Sequence, residues 1–317
     1  MVLSSEFTAD PHDFHGKYIL ATGGTKDVGQ AVAPRLREAD ATMPTAEDER
    51  DHHYESRSDP RSDVRLTVQA PCVELRPFVK EFLITESAGE YTQVLLPETG
   101  AIAVFRFNGS SLRQGEFELP TSVLSGLQDS ARILKRPANT SVIITRFTES
   151  GARAFLREPL DLLFDTTMSM DQLFPRSEVG RIEDQLVVAK QHNDRFLILQ
   201  RFLLGHMRRE PPDQLVSAVV AKIKEVNGDV RIGLLARNSG LSQSALERRF
   251  RKTVGTSLRR FASIVRLRHI IRLQKHTGNL TEIAYAAGYF DQAHFIKDFK
   301  RFTSQAPLAF FRQSSFC

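Results

Sequence analysis

Leu234 to Phe261 reads LLARNSGLSQSALERRFRKTVGTSLRRF, and Glu282 to Phe311 reads EIAYAAGYFDQAHFIKDFKRFTSQAPLAFF. The second stretch repeats the pattern of the first. Ala236 and Gly240 correspond to Ala284 and Gly288. After one extra residue in the second turn, Ser242, Leu246, Phe250 and Phe261 correspond to Asp291, Phe295, Phe299 and Phe310. Each copy predicts a short helix, a tight turn and a second helix. Ile232, Leu235 and Ala236, and then Ile283, Ala284 and Ala287, give each first helix an apolar stripe. Gly240 and Gly288 stand where the chain must leave that helix in a left-handed conformation. Ser242 and Asp291 are suited to cap the next one.

On a wheel of about 100° per residue, the second helices carry the same chemistry at the same offsets. With Leu246 buried, Ser244, Arg248 and Arg251 point away from the core, flanked by Glu247 and Lys252. With Phe295 buried, Ala293, Lys297 and Lys300 do so, flanked by Ile296 and Arg301. A solvated helix normally mixes signs on its outer face, whereas here that face is basic in both copies, Glu247 excepted. A longer helix between the units, from Leu258 to about Lys275, turns Leu258, Phe261, Val265 and Leu267 toward the cores. It would hold the units at a fixed separation, and a separation of about 34 Å suits successive major grooves.

Charge supports a nucleic-acid partner. From Gln214 to Cys317 the chain holds 18 Lys and Arg against 6 Asp and Glu, while the preceding part carries a net charge of −7. A basic last third on a mildly acidic body is the footprint of such a module. In the 317 residues as a whole, 41% hydrophobic and 26% charged content is ordinary for a soluble globular chain. No apolar run is long enough to span a membrane, and the first residues do not resemble a secretory signal, so a cytoplasmic location is expected. Cys72 and Cys317 form neither a disulfide framework nor a metal pair. Between Tyr54 and Gln191 there is no histidine, which opposes a histidine metal cluster in the middle of the chain. No cofactor, metal ion or catalytic residue is expected.

Four segments are anticipated. Residues 1–40 read as one βα fragment, and 41–63, with TAEDERDHHYESRSDPRSD at its centre, as a polar disordered linker. Residues 64–207 begin extended, with YTQVLLPETGAIAVFRFNG suggesting a hairpin around Pro97 to Gly100. They then turn helical, at SGARAFLREPLDLLF and again at EDQLVVAKQHNDRFLILQRFLLGHM. Residues 208–317 form the last segment, helical from Pro211 on and interrupted by turn signals such as Asn227-Gly228-Asp229 and Gly278-Asn279. The expected fold class is α+β, a β-rich sensor domain with helices followed by an all-α domain of two helix-turn-helix units joined by a long helix.

The segment from about Asp213 to Phe311 resembles the DNA-binding domain of the AraC/XylS family of bacterial transcriptional regulators, on the strength of LARNSGLSQSALERRFRKTVGTS and IAYAAGYFDQAHFIKDFKRFTSQAPLAFFR. By that resemblance, Ser244, Glu247 and Arg248 in the first unit and Gln292, Ala293, Ile296 and Lys297 in the second are expected to read bases. Their chemistry agrees: Arg248 and Lys297 suit guanine, Gln292 adenine, Glu247 a cytosine amino group, and Ala293 or Ile296 a thymine methyl. Ser242, Gln243, Arg251, Lys252, Lys300 and Arg301 are expected to hold phosphates, positioning without specifying. PCVELRPFVKEFLITES, VLLPETGAIAVFRFNG and FTESGARAFLREPLDLLFD resemble the half-barrel, cupin-like sensor domain of a subgroup of the family. This implies a domain that binds a small effector or a protein partner, or that mediates self-association as a homodimer. Double-stranded DNA is the expected partner, with RNA polymerase a further candidate, and association with the nucleoid would follow.

At the other end, KYILATGGTKDVGQAVAPRLRE, Lys17 to Glu38, resembles the opening strand, glycine turn and helix of a short-chain dehydrogenase/reductase. Asp27 stands where that family expects a glycine, setting a carboxylate where phosphate oxygens would approach. None of the five tyrosines is followed four residues later by lysine, so the catalytic pair is missing. A single βα unit cannot build a cofactor site. The stretch reads as a remnant or a fused fragment, and the chain as no reductase.

Overall fold

The computed structural model describes residues 54–58, 64–208, 211–274, 280–289 and 291–313. The βα fragment anticipated at residues 1–40 lies outside them. Eleven strands appear among the described residues: β1 Tyr54–Ser58, β2 Val64–Gln69, β3 Val79–Ser87, β4 Tyr91–Leu95, β5 Ile102–Asn108, β6 Arg113–Gln114, β7 Phe117–Glu118, β8 Ser122–Ser125, β9 Arg132–Arg136, β10 Thr140–Phe147 and β11 Thr167–Ser169. They form two antiparallel sheets, ordered β1-β2-β3-β10-β5-β8-β11 and β4-β9-β6-β7. Among the described residues the sheets do not close into a barrel.

The central strand β10, TSVIITRF, is buried along nearly its whole length, as expected of a strand flanked on both sides. Its neighbour β5 alternates, with Ala103, Phe105 and Phe107 turned inward. Helices α1 (Arg176–Val188) and α2 (His192–His206) cover that inner face, and Phe196, Leu199 and Leu203 complete a core with Phe82, Ile84, Phe105 and Ile143.

Three expectations are corrected here. The linker anticipated up to residue 63 contains β1, which pairs antiparallel with β2 from Tyr54↔Gln69 to Ser58↔Arg65. Backbone pairing along a sheet edge needs no apolar periodicity, so a polar composition conceals it. The runs around Pro97 to Gly100 do not form a hairpin, because β4 pairs with β9 in one sheet and β5 with β10 and β8 in the other. Pro97 has no N–H to extend a ladder, and Gly100 passes so close to β10 that a Cβ would sit 2.5 Å from the Phe147 carbonyl oxygen. Finally, the helix expected over SGARAFLREPLDLLF is two separate 3₁₀ turns, Gly151–Ala154 and Leu160–Leu163, with Pro159 at the residue before the second.

Among the described residues seven more α-helices follow: α3 Gln214–Glu225, α4 Ile232–Asn238, α5 Gln243–Val254, α6 Leu258–Gln274, α7 Leu280–Ala286, α8 Gln292–Thr303 and α9 Pro307–Gln313. Their shared core continues into the strand region through Val94, Leu96 and Leu127. Carboxylates line this seam. Glu98, only 7% exposed, receives Arg146 of β10 at 3.0 Å and Arg268 of α6 at 3.0 Å. Glu149 receives Lys80 of β3 at 3.0 Å and Lys224 of α3 at 2.9 Å. Asp129 faces Arg260 of α6 and Arg301 of α8.

Burial alone would raise the Glu149 carboxyl, but Lys80 and Lys224 overcome it and hold it down to about 2. A carboxyl depressed in the fold stabilises fully above its ordinary value near 4.5, and that contribution is lost as pH falls through about 2. Glu149→Gln should therefore lower stability at neutral pH by about 2 kcal/mol, a figure discounted because Lys224 is half exposed. In thermal melts the difference from the parent chain should shrink as pH is taken from 4.5 toward 2. A difference that stays constant over that range would show that the ion pairs contribute nothing.

Candidate nucleic-acid interface

The first unit is α4, a turn and α5. Helix α4 ends at Asn238, Ser239 and then Gly240 at φ +67° follow, and the Ser242 hydroxyl accepts from the Ala245 N–H at 3.2 Å to begin α5. Leu246, Phe250 and Val254, spaced one turn apart, are fully buried. The Phe250 ring meets Phe261 of α6 edge-on, centroids 5.4 Å apart. The second unit repeats the device. Gly288 has φ +78°, the Asp291 carboxylate accepts from the His294 N–H at 2.7 Å, and Phe295, Phe299 and Phe302 are buried along α8. Phe310 of α9 closes that core against Phe299 at 5.2 Å.

The opposite faces are exposed. On α5 these are Gln243, Ser244, Arg248, Arg251 and Lys252, with the capping Ser242 beside them. On α8 they are Gln292, Ala293, Ile296, Lys297, Lys300 and Arg301. Lys252 and Lys300 lie on the last turns, where positive charge also suits the helix dipole.

Glu247 stands apart. Its carboxylate accepts from Arg251 Nε at 3.0 Å and from the Leu258 N–H, the first residue of α6, at 3.3 Å. A carboxylate held by two donors within the protein ties α5 to the start of α6.

Two supporting residues escaped the sequence reading. The Asp213 carboxylate accepts from the Val216 N–H at 3.0 Å, capping α3, and binds Arg249 of α5 through both oxygens at 2.6 and 3.0 Å. Burial would raise its carboxyl, yet Arg249 and the backbone N–H bonds bring it below the ordinary value. The signal was present, since an aspartate three residues before a valine that opens an apolar run is a capping pattern. The distant arginine partner left no local trace.

A family model described as a helix-turn-helix domain matches residues 235–313. One described as a domain of unknown function (DUF6597) matches residues 67–169. The chain is similar to the HTH-type transcriptional regulator GlxA of Rhizobium meliloti, 42% identical over 81 residues, 25% of this chain and 25% of that protein. It is also similar to the Msm operon regulatory protein of Streptococcus mutans, 25% identical over 154 residues, 47% of this chain and 54% of that protein. The chain thus matches between a quarter and about half of the length of these curated relatives. Among solved structures it is similar to ToxT of Vibrio cholerae, with TM-score 0.44 and 12% identity over 74% of this chain and 98% of that one.

Removing the Asp213 carboxylate strips both the cap of α3 and the anchor of α5. Asp213→Ala should cost about 1–2 kcal/mol in urea unfolding, and Arg249→Ala, which leaves the cap intact, less than half of that. Equal losses in the two variants would mean that the cap carries no stability.

Proposed function

We infer that this chain, whose two C-terminal units form a DNA-binding domain of the AraC type, is a transcriptional regulator that reads double-stranded DNA. The observation that carries the reading is the pair of capped helices, each presenting exposed basic residues on the face opposite its buried Leu246 or Phe295. Ser244 and Arg248, with Gln292, Ala293, Ile296 and Lys297, are the proposed base readers. They sit in the first half of each helix, which enters the major groove in proteins of this architecture. Ser242, Gln243, Arg251, Lys252, Lys300 and Arg301 are the proposed phosphate contacts. Glu247, held by Arg251 and Leu258, is better placed to fix α5 than to accept from a cytosine.

The strand-rich domain is proposed to pass a signal to the DNA-binding units through the charged seam. The void between the larger sheet and α2 measures only about 10 Å³, enclosed by Phe105, Leu124, Met170, Phe174 and Leu203, whereas the open groove between α1 and α2 offers about 350 Å³. That groove, lined by Arg181, Gln185, Arg201 and His206, is the better candidate for an effector, a protein partner or a second copy. No helix among the described residues is long and apolar enough to cross a membrane.

Binding of the full chain to promoter fragments and to random duplex, across a salt series, tests the reading. Arg248→Ala and Lys297→Ala should each reduce discrimination between fragments by about 1–3 kcal/mol. Lys252→Ala should weaken all duplexes alike and lower the salt slope by about 0.9. A folded chain that binds no duplex even at low salt would overturn the reading and leave a helical protein-interaction module in its place.

A further inference from the structure

The last turns of both reading helices rest on the strand-rich domain. The 3₁₀ turn Leu160–Leu163 packs on α5, so that a Cβ on Gly255, at the left-handed end of that helix, would lie 3.0 Å from the Leu160 carbonyl oxygen. At α8, the Phe302 carbonyl oxygen accepts from the Ala131 N–H at 2.8 Å. A carbonyl in a helix's last turn has no partner within the helix, and here the other domain supplies one.

The loop that reaches α8, residues 126–131, is rigidly mounted. The Asp165 carboxylate accepts from the Asp129 N–H at 3.0 Å and from Arg132 at 2.6 Å, and the Leu127 carbonyl accepts from the Asp165 N–H at 2.8 Å. Gly126 lies so near Leu163 that a Cβ would meet its carbonyl oxygen at 2.0 Å. Asp129 is thereby presented to two arginines from different elements, Arg260 of α6 and Arg301 of α8. Burial, and then repulsion from Arg301, pulls the Arg260 guanidinium below its ordinary pKa. Two cations held this close call for an anion between them. Glu98 and Glu149 pair with α6 and α3. Asp129 meets α8 through Arg301, which remains half exposed beside the exposed Lys300.

We propose that Arg260 and Arg301 form a phosphate-binding pair, that Asp129 occupies it in the docked chain, and that a DNA backbone phosphate takes its place in the complex. A carboxylate and a phosphate offer two guanidinium groups the same kind of paired oxygen acceptors. Arg260, which the sequence does not single out, becomes a DNA contact, and the strand-rich domain competes with DNA at the end of α8. The proposal rests on the DNA-binding reading given above.

The test compares the full parent chain with Asp129→Asn, and with Asp129→Asn/Arg260→Gln, on promoter fragments and random duplex across a salt series. Far-UV circular dichroism and thermal melts run alongside. Asp129→Asn should tighten duplex binding roughly two- to fivefold, the range of one partly exposed ion pair. Adding Arg260→Gln should remove the gain and lower the salt slope by about 0.9. Duplex binding that is unchanged or weaker in a folded Asp129→Asn chain overturns the inference and leaves the regulator reading standing. Absence of duplex binding in every chain overturns both. Should Asp129→Asn fail to fold, Arg260→Gln in the parent chain decides: a lower affinity and slope support the pair, and unchanged values overturn it.

Discussion

A helix-turn-helix unit has too few apolar side chains to close a core, and α6 supplies what both units lack. Leu258 and Phe261 meet the first unit, and Ile264, Leu267, Ile270 and Ile271 continue one buried cluster toward Ile283, Phe295 and Phe299 of the second. Buried side chains of this size are each worth about 1.5–3 kcal/mol relative to exposure. Neither unit can therefore swing freely while its core stays dry. The relative orientation of α5 and α8 follows from how α6 is packed, and Glu247 adds a polar tie by accepting the Leu258 N–H at the first turn of that helix.

The seam with the strand-rich domain extends the same constraint. Val94, Leu96 and Leu127 add apolar area to the helical core, while Glu98, Glu149 and Asp129 set charges beside Arg268, Lys224, Arg260 and Arg301. Removing one partner from a buried pair leaves an uncompensated charge, so such pairs define a single docking geometry even where their net stabilisation is small. A signal that shifts the strands by a fraction of an ångström would reach α6 and α8 through these contacts.

The helical half was largely legible. The repeat fixed the turn glycines, the caps Ser242 and Asp291 and the buried faces, because all of these depend on residues within one turn of each other. The strand-rich half was legible in class but not in pairing. The runs around Pro97 look like a hairpin until β10 is seen to claim β5, and β1 has too polar a sequence to announce a strand. The seam was not legible at all. Its carboxylates lie far along the chain from the cations they meet, and nothing near Glu98 or Asp129 distinguishes them from solvated surface charges. Glu247 was legible as exposed chemistry only, since its backbone partner comes from the next helix.

The bond between the Ala131 N–H and the Phe302 carbonyl bears on the order in which the chain is made. Domains tend to fold as they leave the ribosome, from the N-terminus onward. The loop carrying Ala131 and the turn at Leu160–Leu163 are complete long before α5 and α8 emerge. A finished surface thus awaits the end of each of these helices, and α8, the later of the two, arrives to find a donor for its terminal carbonyl already in place, while Phe310 of α9 has still to follow and close its core. The strand-rich domain is in this sense a template for the part that follows it, offering the ends of α5 and α8 their contacts before those helices exist.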